Sequence, residues 1–164
     1  MGLDISAYSK IKQEKHGDIY IGHDKFGTRP DLSEGEYAES DDSVYHGFRA
    51  GSYSGYNQWR ENLSMAIHGV MPSIIWNSPE KYTGKEFFEI INFSDCEGCF
   101  GPKFSAKLHA DFVNNRDKFV SAMESRYGKA PGAEFSEASY AIMIYDDFMK
   151  AFEIAKDSGV LIFS

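Results

Sequence analysis

The feature that most constrains this chain is a pair of aromatic stripes near its C-terminal end. Pro102 opens a segment in which Phe104, Leu108, Phe112, Phe119 and Met123 recur at helical spacing as far as about Tyr127. Proline suits a first helical turn, where its missing N–H would have no partner in any case. The stretch GKAPGAEF breaks the pattern, and Tyr140, Ile144, Phe148, Phe152 and Ala155 form a second stripe that Gly159 ends. VLIF then closes the sequence as a strand. Two long helices of this kind need an apolar surface to cover, which a sheet or a further helix supplies.

The N-terminal part predicts that sheet. In GLDISAY, Leu3, Ile5 and Ala7 alternate onto one face, and in DIYIGHD, Ile19 and Ile21 do the same. Lys15, His16, Gly17 and Asp18 supply the turn between them. From Lys25 to Asp42 the chain is polar, acidic and without period, which predicts a loop or flap. SVYHGFRAG predicts a third short strand. A further helix follows, capped by Ser54, with Tyr56, Trp59, Leu63, Ala66, Ile67 and Val70 at helical spacing and Gly69 as its stop. The segment MPSIIWNSPEKYTGK links to EFFEIINFS, which suits either a short helix or a strand. Strands first and helices later predict one α+β domain over residues 1–164: a small antiparallel sheet packed on one face by three main helices.

Composition narrows the function. The 164 residues carry a formal net charge of -8 and no run of Lys and Arg able to displace counterions from phosphates, which argues against direct nucleic-acid binding. A small phosphorylated ligand needs only a few cations and backbone amides, so it stays open. MGLDISAYSKIK lacks a signal peptide's basic start and apolar core, and runs such as AIMIY are too short to span a bilayer. With two cysteines, this predicts a cytoplasmic protein without structural disulfides or membrane association.

Two turns concentrate polar chemistry. In FRAGSYSGYNQWRENL, glycines at 51 and 55 permit close approach by a partner, while Arg49, Ser52, Tyr53, Ser54, Tyr56 and Asn57 offer donors and a stacking face at a helix N-terminus. In INFSDCEGCFGP, Asn92, Ser94, Asp95, Cys96 and Glu97 crowd a turn that also precedes a helix. Brought together, the two turns would frame a ligand pocket: Arg49 on an anion, Tyr53 or Tyr56 on a ring, Asn92, Ser94 and Asp95 on polar edges. The same pocket could serve a hydrolase with Asp95 or Glu97 as base and His46 assisting. Both turns also read as plain helix entries, an Asx-type turn in the second case. Cys96 and Cys99 form one CxxC with no second pair and no His-x-x-His, so no metal is assigned. No Walker loop, dinucleotide fingerprint or Gly-x-Ser-x-Gly is present, so no cofactor is assigned either. Glu34, Glu36, Glu39, Asp41 and Asp42 form an acidic run that reads as a solvated loop or as a surface imitating nucleic acid.

Four segments, MGLDI, RAGSYSGYNQWRE, INFSDCEGCFGPKFSAKLHADF and KAFEIAKDSGVLIF, resemble a family of uncharacterised proteins found in bacteriophages and bacteria. Members resemble this chain at Cys96 but often carry an apolar or small residue where Cys99 stands, which the resemblance implies is not part of a required CxxC. It also implies phage or mobile-element origin, and with it a small accessory protein of the kind that counters host defence by sequestering or destroying nucleotide immune signals or by binding defence proteins. The expected partner is a small polar, nucleotide-like ligand, such as a host defence signal, or else a host defence protein held through the acidic surface. Self-association is compatible with either.

Overall fold

A computed structural model describes residues 2–128 and 136–164. Its strands are β1 (Leu3–Tyr8), β2 (Ile11–Gln13), β3 (Ile19–Ile21), β4 (Gly35–Glu39), β5 (Tyr45–Gly51), β6 (Gly98–Phe100) and β7 (Val160–Phe163). Its helices are α1 (Tyr53–His68), α2 (Pro72–Asn77), α3 (Phe88–Ile91), α4 (Pro102–Tyr127) and α5 (Glu137–Ala155). The architecture is α+β with two antiparallel sheets, ordered β5-β1-β7-β6 and β2-β4-β3.

The four-stranded sheet is covered by α1, α4 and α5 on one face. Leu3, Ile5 and Ala7 of β1, as the alternation requires, enter the main core with Leu161 and Phe163 of β7. Val160 points the other way and joins Ile19, Ile21 and Tyr37 in a smaller core, with Ile162 packed against it. VLIF thus has no polar position because β7 is apolar on both faces. The strand reaches this place at a close junction: a Cβ on Gly159 would stand 1.8 Å from the Tyr8 carbonyl oxygen. Aromatic rings fill the space between sheet and helices, with Trp59, Phe112, Tyr145 and Phe148 all buried.

Two expectations change and a third, left open between helix and strand, is decided. The segment from Lys25 to Asp42 is not wholly loop, because β4 lies within it and pairs with both β2 and β3. Its only fully inward residue is Tyr37, so a five-residue strand shows too little alternation to be recognised. The acidic run is also less bare than its sequence: Lys10 Nζ donates to Asp42 at 2.6 Å, the His16 amide to Glu36 at 2.6 Å, and His23 lies 3.0 Å from Glu34. Lastly, α3 resolves EFFEIINFS as a short helix. It is anchored to α4 by Lys107, whose Nζ stands 2.6 Å from Glu89 and 2.8 Å from Asp111, while Asp111 accepts the Phe87 amide at 2.9 Å.

The break expected at GKAPGAEF falls on residues 128–135, and all but Gly128 of it lies outside the described residues. Among the described residues, no helix is long and apolar enough to cross a membrane.

Candidate functional site

The first turn is built around a cap. Gly51 takes a positive φ of 104°, a region that side chains rarely adopt, and delivers Ser52 in extended backbone at the start of α1. Ser52, not Ser54, is the N-cap: its Oγ accepts from the Gly55 amide at 3.0 Å. Ser54 already lies inside the helix, where its Oγ meets that of Ser52 at 3.1 Å. Ser52→Ala is therefore expected to cost about 1 kcal/mol in urea unfolding, and Ser54→Ala less than about 0.5. Equal losses would return the cap to Ser54.

Tyr56 is fully buried, and its ring packs against Trp59, Phe148 and Phe163 at 5.8 to 6.1 Å between centroids. It is core, and that removes it from a ligand-stacking role. Tyr53 is half-buried against the same core. Arg49 is exposed on β5, 3.9 Å from Asp4 of the neighbouring strand.

The two turns do meet, and they close on each other. Asn57 Nδ2 donates to Asp95 Oδ2 at 2.8 Å. Arg60, which is buried, donates to the Phe93 carbonyl at 2.5 Å and to the Asn57 side-chain oxygen. Its guanidinium also lies over the rings of Trp76 and Tyr56, 5.0 and 5.5 Å from their centroids. The Tyr56 hydroxyl is buried without a hydrogen bond. Burial first, then Asp95, holds it protonated far above the usual tyrosine range, against the pull of Arg60. Ser94 Oγ accepts the amides of Cys96 and Glu97 at 3.2 and 3.1 Å, an ST turn. Asn92 caps the C-terminal end of α3. Arg60 is absent from the residues that the sequence nominates, although a cation on the apolar stripe between Tyr56 and Leu63 is a signal of a buried polar contact.

Two of the three acid–base candidates hold partners, while His46 Nε2 is buried without a hydrogen bond. Asp95 takes Asn57, Glu97 takes Lys25 at 2.5 Å, and His46 Nε2 lies 3.3 Å from Asp147 on α5.

A cavity of about 320 Å³ lies on the other flank of the second turn, between residues 93–99 and the chain from Tyr20 to Arg29. None of residues 49–57 lines it. The 22–29 loop owes its shape to internal bonds. Asp24 accepts the amides of Thr28 and Arg29 at 3.1 and 3.3 Å. The buried Arg29 donates to the Leu32 carbonyl at 2.7 Å and to that of Gly22. Thr28 Oγ1 ties the loop to β6 by donating to the Cys99 carbonyl at 2.6 Å. Phe26, 44% exposed, tilts against Phe93 at 4.9 Å, and Tyr20 stands 71% exposed beside it on the rim. The Lys25–Glu97 pair joins the two walls, which raises the lysine pKa and lowers that of the glutamate.

Cys99 also lines this cavity, and burial pushes its thiol up to about 11. Cys96 is exposed, and both are free thiols. At pH 8 Cys99 is roughly a thousandth thiolate, so iodoacetamide should label Cys96 far faster, as read by peptide mass spectrometry. Equal labelling rates would contradict this environment. Among the described residues, no three His, Cys, Asp or Glu side chains gather as a metal site needs.

A second cavity, of about 590 Å³, lies between α1, α4 and α5. Its polar side chains are partly spent on the fold: Tyr127 donates to Asn62 at 3.1 Å, and Trp59 to the Ala141 carbonyl at 3.1 Å. No family model, curated protein or solved structure matches this chain.

Proposed function

We propose that the protein binds a small polar, ring-bearing ligand of nucleotide type in the cavity between the 22–29 loop and the 93–99 turn. The observation that carries this reading is the lining: an accessible Phe26 ring, a second aromatic at Tyr20, and one lysine and one glutamate within reach of the same space. Its volume of about 320 Å³ falls at the lower end of the range for small-molecule pockets. Phe26 offers a face for a flat ring, and Lys25 a charge for an anionic group. Binding without turnover is the favoured mode, because neither Asp95 nor His46 lines the cavity, which leaves Glu97 there without the other two acid–base candidates. The resemblance to phage proteins supports a role in sequestering a host defence signal of this chemistry.

The test is a thermal-shift screen against mono-, di- and cyclic nucleotides, with chromatography of each mixture. At one hundred times the dissociation constant, a true ligand adds about 2.7 kcal/mol of stability, a rise of roughly 5 to 10 °C. The ligand should be recovered intact, and Phe26→Ala should abolish the rise. A flat response to every nucleotide overturns the proposal, and recovery of a product replaces sequestration with catalysis.

A further inference from the structure

The charged groups of this cavity differ in how firmly they are held. Arg29 is buried and its guanidinium is committed to two backbone carbonyls. Asp24 is committed to two backbone amides. Removing either from its partners would undo the loop. His23 turns to Glu34, which lies outside the cavity lining. Among the described residues, the Lys25 and Glu97 side chains hold only each other, 2.5 Å apart, and are 61% and 63% exposed. An exposed pair of long side chains has little net stability and exchanges partners readily.

A ligand lying over Phe26 would strip water from both members of this pair. If it carried only an anion, it would take Lys25 and leave Glu97 covered without a counter-group, which is unfavourable. A ligand carrying an anion and an amino donor satisfies both at once. We propose, resting on the nucleotide-type reading above, that Lys25 and Glu97 form an exchangeable pair that selects an amino-bearing nucleotide, with phosphate on Lys25 and the ring amine on Glu97. Each side chain is long and mobile enough to swing apart and span the two ends of such a ligand, while Phe26 holds the ring between them. The apoprotein pair then serves as a stand-in for the ligand's own two groups.

Calorimetric titration of adenosine, inosine, cytidine and uridine monophosphates tests this, because each amino-bearing compound has an amine-free counterpart. At least one amino-bearing member should bind about tenfold or more tightly than its counterpart, the effect of one charge-assisted hydrogen bond. Glu97→Gln should erase that preference while leaving phosphate dependence. Lys25→Met should make the nucleotide bind no better than its nucleoside, while leaving the preference for the amine. Equal binding within both pairs, or a preference that survives Glu97→Gln, overturns the selection and leaves nucleotide binding in place. No binding by any of the four, together with a flat thermal-shift screen, overturns both readings.

Discussion

Truncating Phe148 to alanine should lower the unfolding free energy by about 4 kcal/mol, the largest effect expected of a single side chain here. Phe148 is fully buried on α5, and its ring faces Phe48 at 5.0 Å, Trp59 at 4.9 Å, Phe112 at 6.2 Å and Phe163 at 6.0 Å. Those neighbours belong to β5, α1, α4 and β7, so one ring touches most of the layers of the main core. Collapse into the vacated space would have to move several elements at once, which keeps the cavity open and the cost high. Urea unfolding followed by fluorescence should show a lower midpoint with an unchanged slope. A loss below about 1 kcal/mol would mean that the aromatic cluster repacks freely, contrary to its close contacts.

Arg60→Ala should cost about 3 kcal/mol. The wild-type guanidinium is buried, donates to the Phe93 carbonyl and Asn57, and stacks on Trp76. Its removal leaves the buried Phe93 carbonyl without its donor and the half-buried Asn57 side chain without one of its partners. Arg60→Lys should recover only part of the loss, because one ammonium cannot reproduce a planar fork with two acceptors and a stacked face. Asn57→Ala should be non-additive with Arg60→Ala, since both act through one hydrogen-bonded group that also includes Asp95. Full additivity in that double-mutant cycle would show that the two turns are not coupled through Arg60.

Arg60 joins two turns whose polar character is legible in the chain. The two polar turns were recognisable as turns, and they are adjacent in the fold. Their residues looked available for a ligand because a sequence shows which donors and acceptors exist, not which of them satisfy each other. Asn57 and Asp95 are 38 residues apart, and each is the other's partner. Tyr56 illustrates a related ambiguity. Its place on the apolar stripe suited both a core ring and a stacking ring, and burial assigns it to the core. No local pattern marks the 22–29 loop as one wall of a cavity, because its shape depends on Asp24, Thr28 and Arg29 bonding to backbone groups. Backbone donors and acceptors leave no mark in a sequence.

Local periodicity by itself determined the long helices, the inward faces of β1 and β3, the closing strand and the α+β class. Spacing of 3.6 or 2 residues is a property of neighbours along the chain. Only the tertiary structure decided that a second sheet is built on β4, that the acidic run finds partners in Lys10, His16 and His23, and that Lys25 meets Glu97 from 72 residues away. Charge pairing and cavities depend on distance through space, and that distance is set by how the helices and sheets pack, which no short stretch of this sequence encodes.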